Sequence, residues 1–270
     1  MTQVPGDFDE YLHLFAPHGG TDISYSRHHY QRYIQTKQRI LSNWDRARGN
    51  KLLDIGAHWL HQAILYAIDG FKVTGIDLPV TFELDNVRAL AQAHDIQLLP
   101  NSDLERATAL KEIPDNTFDI VLFTEIIEHI TFNPVAMWRQ IYRIMKPGAR
   151  LIVTTPNYYA LRGRMWNLKR FLARFGGGLE VLDILSRHTY AHHWKEYSLR
   201  ELIYYFCVLS PDFDCVDRAY VEEYEPGYLG KRGGKIVHWI ERCVPLLHPD
   251  LYLVVELKSK ERGIVVEPHW

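Results

Sequence analysis

The chain has 270 residues, with 31 Lys and Arg against 33 Asp and Glu, 47% hydrophobic residues and 24% charged ones. That is the composition of a folded globular protein, and it argues against a disordered tail, a collagen-like rod or a coiled coil. A net charge of -2 gives no general cationic excess for nonspecific nucleic-acid binding, though a local basic patch is compatible with it.

Residues 1–25 carry Pro5, Gly6, Pro17, Gly19 and Gly20 and read as an irregular opening segment. From Ser26 to about Ala47, Tyr30, Tyr33, Ile34, Ile40, Leu41 and Trp44 recur at helical spacing. A regular alternation follows. Lys51–Ile55 is a short strand ending in Gly56, and Leu60–Ile68 is helical and stops at Gly70. Phe71–Ile76 is a second strand ending in Asp77, and Leu84, Val87, Leu90 and Ala91 mark a second helix. Ile96–Leu99 is a third strand, followed by Asn101-Ser102-Asp103. After the turn Pro114-Asp115-Asn116, Phe118–Phe123 is a buried-type strand. Asn133-Pro134 opens a helix to Met145, Lys146-Pro147-Gly148 ends it, and Leu151–Thr155 is a fifth strand.

This alternation predicts a mostly parallel sheet covered on both faces, with ligands beyond the carboxyl ends of the strands. Gly56, Asp77, Asp103, Glu125 and Asn157 stand at those ends. Residues 158–197 break the pattern, with aromatic and basic side chains (Tyr158, Tyr159, Arg162, Arg164, Trp166, Trp194) and Gly176-Gly177-Gly178, and read as a lid. Ser198-Leu199-Arg200-Glu201 is a capping box that opens a helix through about Val208. Phe213–Tyr224 and Leu251–Lys258 read as two further strands. Between them, Lys235–Leu247 is apolar enough to pack on the sheet, to touch a membrane surface or to hold a lipid-linked acceptor.

Cys207, Cys215 and Cys243 are odd in number and form no CxxC pair, which argues against a disulfide framework. The first residues lack the basic start and apolar core of a signal peptide, and no apolar run approaches the roughly 18 residues of a membrane span. The expected compartment is the cytoplasm. The 14 His cluster at His28-His29, His58, His61, His188 and His192-His193.

The segment KLLDIGAHWLHQA followed by FKVTGIDLP makes a mononucleotide-binding half, with Asp77 21 positions after Gly56. A carboxylate at that separation, close to ~20, accepts from both hydroxyls of a ribose. The absence of GxxxxGK[ST] excludes a P-loop, and His58 and Leu60 stand where a G-x-G-x-G turn has glycines.

The set LLDIG (52–56), GIDLP (75–79), NSDLE (101–105), DNTFDIVLFTEIIEHI (115–130), KPGARLIVTTPN (146–157) and HHWKEYSLREL (192–202) resembles the class I S-adenosylmethionine-dependent methyltransferases over about residues 50–210. The resemblance implies a doubly wound α/β fold. Its mostly parallel seven-stranded, Rossmann-like sheet would have an antiparallel edge, an N-terminal helical segment and a lid insertion. All 270 residues then form one domain: 1–48 the extension, 49–157 the cofactor-binding core, 158–197 the lid and 198–270 the C-terminal part. It also implies that Asp54 and Gly56 frame the methionine end of S-adenosyl-L-methionine, that Asp77 meets the ribose, and that Asp103 and Leu104 lie near the adenine. Ala57, His58, Leu78 and Thr124 complete the cofactor-binding set.

Glu125-Ile126-Ile127-Glu128-His129 follows the fourth strand. Carboxylates at i and i+3 on a helical turn face the same way, and a neighbouring imidazole makes an O/N set suited to Mg2+, Mn2+ or Zn2+. The arrangement resembles the E-x-x-E-H site of small-RNA 2′-O-methyltransferases and of ubiquinone-pathway O-methyltransferases. That likeness points to His193, upstream of Glu196-Tyr197-Ser198, as the fourth ligand, with His192 as its rival. A divalent ion there lowers the pKa of an acceptor hydroxyl. Without one, Glu125, Glu128 or His129 is the general base. The expected activity is O-methylation of a sugar or other small hydroxyl acceptor. An RNA ribose methyltransferase, a non-methylating enzyme and a binding protein on the same fold are the alternatives, and the charge balance disfavours RNA.

Overall fold

The computed structural model describes residues 5–101, 103–160, 172, 181–186, 192–221, 236, 239–241 and 243–268. The chain opens with α1 (Phe8–His13) and α2 (Ile23–Ser42), then alternates through β1 (Lys51–Ile55), α3 (Ala63–Ala67), β2 (Lys72–Asp77), α4 (Pro79–Phe82) and α5 (Asp85–Ala93). It continues through β3 (Gln97–Pro100), α6 (Thr108–Lys111), β4 (Phe118–Thr124), α7 (Val135–Ile144) and β5 (Met145–Pro156). Helices α8 (Val181–Ser186) and α9 (Leu199–Leu209) precede β6 (Phe213–Val221) and β7 (Asp250–Leu257). The seven strands form one sheet in the order β3-β2-β1-β4-β5-β7-β6. The pairs β1–β2, β1–β4, β2–β3 and β4–β5 are parallel, while β7 runs antiparallel to both β5 and β6. The antiparallel strand is therefore one position in from the edge.

β4 is buried along all seven residues, as its apolar run over residues 120–123 suits a strand covered on both faces. Side chains alternate across the sheet. Leu52, Ile120, Leu122, Ile152 and Val254 join the core under α1, α2, α3 and α5. Leu53, Val121, Phe123, Leu151, Val153 and Val255 join the core under α7 and α9. α2 is pinned by a fully buried ion pair, Lys37 Nζ to Asp69 Oδ2 at 2.8 Å.

Several boundaries differ from the sequence reading. The opening segment is not irregular throughout. Asp7 caps α1 by accepting from Glu10 N at 2.9 Å, and Glu10 Oε2 reaches back to Gly6 N at 2.6 Å. That local pattern outweighs the nearby Gly and Pro. α2 starts at Ile23, behind the Asp22 cap, and stops at Ser42 rather than Ala47. α3 starts at Ala63 rather than Leu60, because His58 and Leu60 have left-handed backbones (φ 47° and 63°) that a right-handed helix cannot contain. Lys146-Pro147-Gly148 belongs to β5. β6 ends at Val221, and residues 222–224 lie outside the described residues. The capping box at Ser198 forms as read.

Asp212, just ahead of β6, fastens the C-terminal segment. Its carboxylate accepts from Tyr142 Oη at 2.6 Å, Ser259 Oγ at 2.9 Å, Arg262 N at 2.8 Å and Gly263 N at 2.9 Å. Burial alone raises the carboxyl, but these donors outweigh it and hold it down at about 2. A depressed value means stability that is complete above the ordinary carboxylate range and lost as the pH falls toward 2. We expect Asp212→Asn to lower the unfolding free energy by about 1–3 kcal/mol at pH 7. The gap between variant and wild type should narrow between pH 4 and pH 2 in urea titrations. A gap independent of pH would show that the charge is not what these donors hold.

Candidate active site

The carboxyl edge of β1, β2, β3 and β4 opens into a cleft of about 480 Å³. That falls within the range of small-molecule sites. At the end of β1, Gly56 N and Ala57 N both donate to Ile76 O, at 2.8 and 3.1 Å, and pull the turn against β2. Gly56 has φ +80°, and a Cβ there would run into the Ile126 side chain, so only glycine fits. His58 and Leu60 then adopt the conformation that glycine takes easily, at about 1–2 kcal/mol each for an L-residue. The turn keeps its shape with Gly56 as its one glycine and with His58 and Leu60 at the other two places.

Its product is a fixed carboxylate. His58 N donates to Asp77 Oδ2 at 2.6 Å, Leu78 N to Oδ1 at 2.7 Å, and Thr81 Oγ1 to Oδ1 at 3.1 Å. Asp54, Gly56, Ala57, His58, Asp77, Leu78, Asp103, Leu104 and Thr124 all line the cleft. Asp54 lies at its base, 1% exposed, and neither carboxylate oxygen has a hydrogen-bond partner among the described residues. Burial, then the charge of Asp77, push Asp54 up to about 7 against the opposing Arg32. Such an orphaned acid in an open cleft fits a ligand that brings a cation.

The two glutamates of the E-x-x-E-H run part company. Glu125 has φ +56° and turns the chain into a short 3-10 turn, Ile127–His129, instead of an α-helical one. Glu125 Oε1 accepts from Thr154 Oγ1 at 2.9 Å, and Glu128 Oε2 from Thr155 Oγ1 at 3.0 Å. Consecutive residues of β5 point to opposite faces of the sheet, so the two carboxylates are held from different sides of the strand end, although the charge of Glu125 still bears on Glu128. The expectation that i and i+3 face the same way is thereby corrected. Glu125 lines the cleft and lies 3.8 Å from Arg32 Nη1.

Glu128 is instead gathered with His129 and His193, with one donor atom of each within 4.8 Å of the others. His193, expected as the fourth ligand, is in this set, whereas Glu125, also expected, is not. His129 Nδ1 bonds to His192 O at 2.9 Å. A carbonyl only accepts, so a proton sits on Nδ1, and in the neutral ring Nε2 carries the lone pair. Nε2 is 3.8 Å from Glu128 Oε1. Burial first, then the charge of Glu125, push the Glu128 carboxyl well up. Of the rival histidines, His193 supplies the side chain, while His192 is buried with its ring 5.4 Å from Trp194. Trp194 N donates to Glu128 O at 2.7 Å, which ties the strap formed by residues 192–197 to the turn, and Tyr158, Tyr159 and Trp194 are exposed aromatics beside it. Arg162, Arg164, Trp166, Gly176-Gly177-Gly178 and His188 lie outside the described residues, as do Ser102, Lys235 and Val237.

α2 contributes side chains to which the sequence assigns no site role: Tyr33 is expected as packing, Tyr25 falls in the opening segment, and Arg32 stands out in neither. Tyr25, Arg32 and Tyr33 line the cleft, together with His61, Gln62 and Asn101. The signal was present, since Tyr25 and Arg32 are seven residues apart and share a helix face. Tyr25 stacks on His58 at 4.7 Å and on His61 at 5.4 Å, and burial lowers both imidazoles.

Residues 25–202 match a family model described as a methyltransferase domain. The chain belongs to that family. It is a member of the class I S-adenosylmethionine-dependent superfamily. A ubiquinone biosynthesis O-methyltransferase of Pseudomonas putida is 30% identical over 152 residues, 55% of this chain and 58% of the relative. Phosphoethanolamine N-methyltransferase 3 of Arabidopsis thaliana is 33% identical over 124 residues, 45% of this chain and 24% of the relative. The chain thus spans little more than half of the first relative and a quarter of the second. A putative methyltransferase solved with the Haloferax volcanii activator Trm112 shares the fold, with TM-score 0.58 and 16% identity over 91% of this chain and 98% of that one. Among the described residues, no helix of this methyltransferase-family chain is long and apolar enough to cross a membrane.

If His58 is held at positive φ, His58→Gly relieves the strain and His58→Ala retains it. We expect the glycine variant to be more stable than the alanine variant by about 1 kcal/mol in urea unfolding. An alanine variant equal or superior in stability would contradict a left-handed residue here.

Proposed function

We propose that this chain is an S-adenosylmethionine-dependent O-methyltransferase that acts on a sugar or other small hydroxyl acceptor with the help of a divalent ion. The observation that supports it best is the pinned Asp77 carboxylate in the same cleft as the orphaned Asp54, with the Glu128–His129–His193 cluster at its rim through His129. In this reading Asp77 accepts from the two ribose hydroxyls, and Asp103 and Leu104 flank the base. Arg32, oriented by Glu125 and by Thr154 Oγ1 at 3.4 Å, faces the carboxylate of the methionine moiety.

The bound cofactor supplies a methyl group on a positively charged sulfur. The chain's own task is to bring an oxygen into line with it and to take the proton from that oxygen. Glu128, His129 and His193 would hold the ion, which would act as a Lewis acid on the acceptor hydroxyl. With Glu125 outside the set, one carboxylate and two imidazoles suit Mn2+ or Zn2+ better than Mg2+, which prefers oxygen ligands. An amine needs only to lose its ammonium proton and no Lewis acid, so an ion-holding cluster favours oxygen over nitrogen. The exposed Tyr158, Tyr159 and Trp194 offer flat apolar faces on which a sugar ring can stack.

Calorimetry with S-adenosylhomocysteine tests the cofactor pose. Asp77→Ala should weaken binding about 10–100-fold, the value of a charge-assisted pair of hydrogen bonds. Unchanged affinity would remove Asp77 from the ribose. Equilibrium dialysis with Mn2+ and Zn2+ tests the ion. His193→Ala should lose one bound ion and still bind S-adenosylhomocysteine, whereas a wild type that binds neither metal would leave His129 acting as a plain base.

A further inference from the structure

Asp54 combines three properties that no structural role explains. It is the penultimate residue of β1, at the bottom of the ligand cleft, it is 1% exposed, and both of its oxygens lack a donor among the described residues. A carboxylate stripped of water and given no hydrogen bond is driven toward its neutral acid. The charged and titratable groups around it do not reverse that. Arg32 faces it from α2, but that guanidinium is shared with Glu125 and Thr154. Asp77 adds negative charge from β2. Tyr66, on α3, is itself held in the neutral phenol form by burial, and the neighbouring Gln62 is uncharged. His58 and His61, on the loop after β1, are lowered by burial and stay uncharged near neutral pH. Glu125, after β4, is a further acid on the same cleft.

We propose that Asp54 is a neutral acid in the ligand-free protein and gives up its proton when the amino-acid ammonium of an S-adenosyl ligand enters, so that cofactor capture and proton release are one coupled event. This rests on reading the cleft as the cofactor site. The balance is simple: the carboxylic acid and the ligand ammonium become a carboxylate–ammonium pair, and one proton leaves to solvent. No bond to carbon, nitrogen or sulfur changes. The free-state value is raised to about 7, and the ammonium lowers the bound-state value. Affinity therefore rises with pH through the bound-state value and levels off above about 7. Between the two values it falls up to tenfold for each unit of acidification.

The experiment is calorimetry of S-adenosylhomocysteine binding at pH 6 and pH 8.5, each in two buffers of different ionisation enthalpy. The wild type should release most of one proton per site at pH 6 and little at pH 8.5. Methylthioadenosine, which keeps the nucleoside and lacks the amino acid, should bind without that release. Asp54→Asn should bind S-adenosylhomocysteine with no buffer-dependent heat. Equal release by the two ligands, or release that persists in Asp54→Asn and so belongs to another group, would overturn the proposal while leaving the cofactor site in place. Should Asp54→Asn fail to fold, the comparison of the two ligands on wild type still decides. Absence of binding by either ligand at pH 8.5 would overturn the cofactor reading and this inference with it.

Discussion

The pleat of β5 separates the two halves of this site. Thr154 and Thr155 are neighbours in sequence and occupy opposite faces, and each hydroxyl holds one glutamate. Glu125 is thereby assigned to the side where α2 brings Arg32, and Glu128 to the side where the strap brings His193. A single register decides which acid serves the nucleoside cleft and which serves the histidine cluster. A slip of one residue would bring Val153 or Pro156 into one of the two places and leave one glutamate without its hydroxyl. That register is itself secure, because β5 lies between β4 and β7 with paired neighbours along both edges.

The fold was readable because its signals are local and repeated. Apolar runs of five to seven residues bounded by Gly, Asp or Asn located β1, β2 and β4 almost to the residue. Asp77 followed from its distance to Gly56, and the Ser198 capping box from a four-residue pattern. What escaped was whatever depends on two distant pieces of chain meeting. Arg32 looks like an exposed cation on an amphipathic helix, and only the docking of α2 across the strand ends makes it a 2%-exposed wall of the cleft. The i, i+3 argument for Glu125 and Glu128 failed for a different reason. It assumed α-helical geometry, whereas the backbone at Glu125 is left-handed and the turn behind it is 3-10.

The histidine-rich character of the chain also resolves into two chemistries. His58 and His61 are stacked with Tyr25 and kept uncharged by burial, so they act as aromatic walls. His129 and His193 meet at 4.6 Å beside a buried carboxyl, where nitrogen lone pairs matter. Composition alone could count these residues but could not sort them, because the sorting comes from the neighbours each one acquires on folding.

The loop that follows β1 has a consequence for how fast and how selectively it meets its ligand. Glycines in such a loop wander among many shapes and are frozen only on contact, which subtracts from the affinity of any visitor. With His58 and Leu60 already committed to one unusual shape, that freezing is completed during folding. The mouth of the cleft then behaves as a rigid template, less forgiving of ligands with a different outline and quicker to accept one that matches.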